Sequence, residues 1–222
     1  MFYGETILAD ALCEALGLGL LDPVADEGWL PNLPHRYRLR EIELSTFGEA
    51  CGLDRPRFVK PTDEKFFPAR VYPAGALREH TSVDSSAPAL VAEPVEFEVE
   101  FRAFVLERSI ATMSPYIRGG DLARRDGEWF AEDAEWEGAK ACLEALLTDT
   151  AVDLPPAVVV DVGLIRGRGW AVVEANPAWG SGLCGCDPVP ILQVLKRASV
   201  RTDSASVEDQ RWLRKSQLCI ER

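Results

Sequence analysis

Between Val158 and Gly182 the chain reads VVVDVGLIRGRGWAVVEANPAWGSG, two β-rich runs around a glycine-rich turn. Val158–Ile165 and Trp170–Ala175 are the runs, and Arg166-Gly-Arg-Gly169 suits a tight hairpin. The first run carries one acid, Asp161; the second ends in Glu174-Ala-Asn176. Antiparallel pairing predicts that these side chains face one another across the ladder. A strand of valine and isoleucine gains nothing from burying an unpaired carboxylate, which is costly. Either acid alone is as readily a turn cap or a solvated edge residue. Together, two carboxylates and an amide form a set of hard oxygen ligands of the kind that holds Mg²⁺ beside phosphates.

The 222 residues suffice for one large domain or two small lobes. A formal net charge of −12 disfavours general binding to nucleic acid or anionic membrane, but leaves room for a small anion in a local basic pocket. No run of ~18 apolar residues predicts a membrane span. The early acids of MFYGETILADALCEALG lack the basic start of a signal peptide, so a cytoplasmic protein is expected. Six scattered cysteines without a CxxC pair, and only His35 and His80, give poor support to zinc. The cysteines are expected to be mostly buried thiols; Cys184-Gly-Cys186 is the one close pair, and loop packing is its simplest role.

Helical spacing predicts helices over Ile7–Leu18, Glu132–Leu147 and Pro188–Ala198, with a last one around Val207–Leu218. On the second, Trp136, Ala139, Cys142, Leu143 and Leu146 face inward. Arg38–Leu44 alternates like a strand, and Ser45 or Thr46 is placed to cap a short helix through Ala50-Cys51. Arg57–Lys60 is a short strand whose terminal lysine suits a phosphate, although an edge lysine beside proline is also commonly just solvated. In Phe97–Ala103 apolar residues alternate with Glu98, Glu100 and Arg102, a half-buried strand with a charged face. Arg108–Tyr116 is a further strand. Thr81–Pro88 and Pro177–Gly182 are candidate flaps.

No GxxxxGK[ST] loop, GxGxxG, GxSxG, HExxH or kinase signature is present, so P-loop, dinucleotide and triad chemistries find no support. The elements that remain resemble, in order, those of the ATP-grasp family. Phe58-Val-Lys60-Pro resembles its phosphate-binding lysine strand, and Val91-Ala-Glu93-Pro-Val95 its adenine-contacting connector. Glu100 falls at the ribose-binding acid, seven residues beyond Glu93. Arg102 resembles the basic residue facing phosphate or the reacting carboxylate. Asp161, Glu174 and Asn176 resemble the metal ligands, spaced by thirteen and two residues. The run from Lys60 to Tyr72 resembles more narrowly a bacterial and phage clade in which lysine replaces a usual arginine, with Lys65 the candidate.

The resemblance implies an α+β fold in which two lobes of antiparallel sheet clamp ATP. It divides the chain into a reduced N-terminal lobe (1–55), ATP-grasp lobes (56–200) and a C-terminal tail (201–222). It implies ATP and Mg²⁺ (with Mn²⁺ as an alternative) as cofactors, Lys60, Lys65, Glu93, Val95, Glu100 and Arg102 as nucleotide contacts, and Arg102 and Lys65 as catalytic cations. The implied reaction joins a small-molecule or peptide carboxylate to an amine through an acylphosphate, releasing ADP and phosphate. Arg70 and Arg118 are candidates for holding the carboxylate. A non-catalytic ATP-binding module and a carboxylate kinase remain as alternatives. Substrate identity and oligomeric state are not legible.

Overall fold

The structure, a computed structural model, describes residues 1–23, 27–62 and 66–214. In chain order the elements are α1 (Thr6–Leu16), β1 (Leu18–Leu20), α2 (Trp29–Asn32), α3 (His35–Arg38), β2 (Ile42–Thr46), α4 (Phe47–Ala50), β3 (Arg57–Pro61), β4 (Arg70–Tyr72) and β5 (Pro88–Ala92). Then follow β6 (Phe97–Leu106), β7 (Ser109–Arg118), β8 (Asp121–Leu122), β9 (Arg124–Arg125), β10 (Glu128–Trp129) and α5 (Asp133–Thr148). The chain closes with β11 (Ala157–Ile165), β12 (Gly169–Asn176), α6 (Pro188–Ala198), β13 (Ser199–Arg201) and α7 (Val207–Arg211). They fall into two compact units, one of Met1–Asp26 with Phe97–Arg222, the other of Glu27–Glu96.

The first unit is built on an antiparallel sheet ordered β12-β11-β6-β7-β8. Alternation along β6 sends Val99, Phe101, Ala103 and Val105 to one face and Glu100, Arg102 and Phe104 to the other. Helix α5 covers the first face. Phe101 meets Trp136 and Trp170 edge-on at 5.2 and 5.7 Å between ring centres, and Ala139, Leu143 and Leu146 are fully buried beside them. Glu132 and Glu135 form a reciprocal cap at the start of α5. On the second face Phe104, Ala157 and Val159 pack with Ala9, Cys13, Trp179, Ile191 and Val194 in one core. Asp187 caps α6 by accepting from the Val189 amide, with Pro188 in its first turn.

The second unit holds a four-stranded antiparallel sheet, β2-β5-β3-β4, over a core of Phe47, Val59, Phe67, Tyr72, Leu77 and Val91. Thr46, rather than Ser45, caps α4, in a box completed by Glu49. Strand β5 pairs with both β2 and β3. The sheet therefore joins residues on both sides of the 55/56 boundary expected from sequence. The expected strand over Arg38–Leu44 begins only at Ile42. Before it, Pro34 starts the single helical turn His35–Arg38, which ends on Leu39 in the left-handed region (φ 44°). The last helix, expected to reach Leu218, runs Val207–Arg211; residues beyond Arg214 lie outside the described ones. Among the described residues no helix is long and apolar enough to cross a membrane.

Candidate active site

The hairpin forms as the sequence predicts, with Asp161 directly opposite Glu174 on β12 and opposite Arg102 on β6. All three therefore share the second face of the large sheet. Two residues along β11, Val159 packs into the apolar core on that same face. The core gives way to polar side chains at Asp161, which is 0% exposed.

A buried carboxylate needs a charged partner, and Asp161 has one. Arg102 forks onto it, Nε to Oδ1 at 3.0 Å and Nη2 to Oδ2 at 2.7 Å. Asn176 Nδ2 donates to Glu174 Oε1 at 2.9 Å and lies 3.3 Å from Asp161 Oδ2. The Tyr116 hydroxyl donates to Glu100 Oε2 at 2.9 Å and lies 3.4 Å from Asp161 Oδ2, while its ring lies under the Arg102 guanidinium at 4.8 Å. Arg102 Nη1 also reaches the Gly182 carbonyl at 3.3 Å and Cys184 Sγ at 3.6 Å.

Two β-bulges bracket the cluster. The β6–β7 ladder passes from Glu100–Ile117 to Phe101–Pro115, so Tyr116 is the extra residue. The β11–β12 ladder passes from Asp161–Glu174 to Val162–Val172, so Val173 is the extra one. Bulges re-aim side chains in this way beside functional sites. Gly163, opposite Glu100, makes room on this face: a Cβ there would stand 2.5 Å from the Phe97 ring and 3.2 Å from Glu100 Cγ.

The electrostatics follow from burial. Desolvation, with Glu174 adding repulsion, pushes the Asp161 carboxyl up to about 6 against the opposing pull of Arg102. Burial opposes the charge on Arg102, but its bonds to Asp161 outweigh that and raise its pKa. Tyr116 is raised by burial first, then by Asp161, Glu100 and Glu174, so its hydroxyl stays protonated and acts as a donor. Cys186 is buried and pushed up to about 12, mainly by desolvation, which makes it an inert packing thiol. The described cysteines are all free.

The structure brings together Glu100, Arg102, Asp161, Glu174 and Asn176, and adds Tyr116, which the sequence did not single out. Lys60, Glu93 and Val95 belong to the second unit. Lys60 is half-buried on β3, paired across the ladder with Leu90. Glu93 Oε2 accepts from the Glu41 amide at 3.4 Å. Lys65 lies outside the described residues. Both arginines proposed for the substrate carboxylate already hold acids: Arg70 pairs with Glu79 at 2.5 Å and Arg118 forks onto Glu135 at 3.0 and 2.6 Å. The Pro177–Gly182 stretch is anchored, since Trp179 is 1% exposed and its Nε1 donates to the Leu21 carbonyl at 2.9 Å.

As metal ligands the residues fit in kind. Asp161, Glu174 and Asn176 supply hard oxygens on one face. Among the described residues, no three His, Cys, Asp or Glu side chains gather into a metal-holding group, so a cation here depends on Asn176 and on ligand phosphates. A groove of about 510 Å³ lies elsewhere, between β7 and α5, and contains none of these residues.

Residues 37–194 match the family model of an ATP-grasp domain, the second family of the clade named for an arginine-to-lysine exchange. The chain belongs to this family. Solved ATP-grasp structures share its fold. D-alanine–D-alanine ligase from Bacillus anthracis complexed with ATP is similar at TM-score 0.52 and 12% identity, over 87% of this chain and 74% of that one. A second structure of that ligase gives 0.50 and 14%, over 87% and 73%. The ATP-grasp ligase PsnB complexed with a precursor peptide and AMPPNP gives 0.46 and 15%, over 79% of this chain and 60% of PsnB. No curated protein matches the sequence. The ATP-grasp fold accounts for the mixture of helices and antiparallel sheets, and for a polar cluster formed without a P-loop.

Proposed function

We propose that this ATP-grasp domain is an ATP-dependent carboxylate–amine ligase. The observation that carries the proposal is the six-residue cluster, in which two carboxylates and an amide lie beside a buried arginine on an otherwise apolar sheet face. A sheet stabilised only by packing has no use for such a group, because each buried charge costs free energy.

In the proposed reaction a substrate carboxylate oxygen attacks the γ-phosphorus of ATP. The bond from that phosphorus to the β–γ bridging oxygen breaks, and ADP leaves. An amine then attacks the acyl carbon, the carbon–oxygen bond to phosphate breaks, and the amine proton passes to solvent. The domain's task is to position the reactants and to neutralise charge. Lys60 and Arg102 offset the charge spreading over the phosphoryl oxygens, with Lys65 a further candidate. Glu100 takes the ribose, and the Glu93–Val95 connector meets the adenine. Asp161, Glu174 and Asn176 would hold Mg²⁺, which when bound supplies charge stabilisation to the phosphates.

Two rearrangements accompany loading. Asn176 presents its amide nitrogen to the carboxylates, so it must turn over to offer oxygen. Both Asp161 oxygens are engaged by Arg102, so the fork must loosen as triphosphate draws the guanidinium away.

The test is a screen for ADP release stimulated jointly by an acid and an amine, with product mass as readout. ADP release with an acid alone, and no condensed product, would instead indicate a carboxylate kinase. Tight ATP binding without turnover across the panel would indicate a binding module.

A further inference from the structure

Tyr116 stands out among the cluster residues because none of the roles above uses it. A core tyrosine usually settles its hydroxyl on a backbone carbonyl. This one enters the acid cluster instead, at the bulge where it lacks a ladder partner on β6. We propose that Tyr116 is a positioning residue: its hydroxyl holds the Glu100 carboxylate in place and ties it to the Asp161–Arg102 pair. The proposal rests on the assignment of Glu100 to the ribose.

A phenol has one proton, and the shorter contact, 2.9 Å to Glu100 Oε2 against 3.4 Å to Asp161 Oδ2, shows where it goes. Asp161 is already satisfied by the arginine fork, so the hydroxyl is left to fix Glu100. The groups around it are Glu100 and Arg102 on β6, Asp161 on β11 and Glu174 on β12. The hydroxyl therefore stands between two carboxylates that would otherwise repel each other. The ring, stacked against Arg102 at 4.8 Å, sets the height of the guanidinium over the same acid. One side chain from β7 thus locates three groups on two other strands. Nucleotide sugar and cation are bound by neighbouring members of a single hydrogen-bonded set.

Tyr116→Phe tests this, because it keeps the ring against Arg102 and removes only the hydroxyl. Calorimetric titration of the wild type with ATP and with 2′-deoxyATP, each with excess Mg²⁺, is expected to show a preference for ATP. In Tyr116→Phe that preference should fall by roughly tenfold, the loss of one hydrogen bond to a charged group. It should fall to the same ratio in Glu100→Gln, and no further in the double variant. A wild-type ratio retained in Tyr116→Phe overturns the proposal.

A second measurement needs no nucleotide. Thermal unfolding of the two single variants and the double variant forms a cycle. Non-additive effects support the Tyr116–Glu100 link, and additive effects overturn it. If the wild type binds neither nucleotide, the nucleotide assignment fails, and the cycle alone decides whether Tyr116 holds Glu100.

Discussion

Val159 and Asp161 stand two residues apart on β11, point to the same face of the same sheet and are both 0% exposed. Val159 is buried as a core residue is, against Phe104, Trp179 and Ile191. Asp161 is buried under a guanidinium fork, an amide and a phenol. Burial of the valine stabilises the sheet, whereas burial of the carboxylate works against its own ionisation and lifts its pKa to about 6. Packing therefore explains one end of this face. The other end is a preorganised charge cluster retained at some expense of stability, as expected of a site that binds a charged ligand.

Substitutions at the two positions should separate these descriptions. Asp161→Val leaves Arg102 buried without its counter-charge and is expected to cost about 3–5 kcal/mol of stability, together with any metal-dependent nucleotide binding; denaturant unfolding and calorimetry check both. If the variant proves as stable as the wild type, the two ends of the face are energetically alike and the contrast collapses. Val159→Ala should cost about 2 kcal/mol by opening a cavity, yet leave nucleotide affinity within about twofold; a larger loss of affinity would mean that the core end is part of the site. Lys60→Ala, in the other unit, should reverse that pattern. Unfolding should shift by no more than about 0.5 kcal/mol, as is usual for a side chain outside a packed core. ATP affinity should drop by about tenfold with the loss of a cation–phosphate contact.

The smallest expected effect is on pH dependence. Between about 4 and 6 the folded protein holds the Asp161 proton more tightly than the unfolded chain, whose carboxyl has the ordinary value of 3.8. The contribution of this group to stability therefore declines as pH rises through that window and is level above it. Asp161→Asn cannot titrate. The stability difference, wild type minus variant, should fall from pH 4 to 6 and then flatten. A difference that rises over that interval would mean that Arg102, not burial, dominates the carboxyl.

Much of this arrangement was legible in the sequence. Acids set into runs of valine mark Asp161 and Glu174, and strict alternation from Phe97 puts Glu100 and Arg102 on one face. These are local patterns with a period of two, and a hairpin turn of known length fixes their register. Tyr116 was not legible. An aromatic residue in a strand resembles any half-buried one, and its aim depends on a bulge that only pairing with β6 reveals. Trp179 misled for a related reason: its Gly- and Ser-rich surroundings suggest a moving loop, whereas its indole is docked onto the Leu21 carbonyl. The partnership of β2 with β5 joins segments more than forty residues apart, beyond any local periodicity. The Arg102 fork also alters the choice of probe. Asp161 holds the sheet together as well as the site, so its replacement mixes stability with binding.

Glu174 is the cleaner probe, because it is half-buried and the Arg102 fork does not bind it. The most direct measurement is the affinity of wild type and Glu174→Gln for AMPPNP, titrated calorimetrically with and without Mg²⁺, beside their melting temperatures. If the cluster is the cation side of an ATP site, Mg²⁺ tightens AMPPNP binding in the wild type, and Glu174→Gln loses most of that gain without a shift in melting. Equal Mg²⁺-dependent gains in the two proteins would contradict the account.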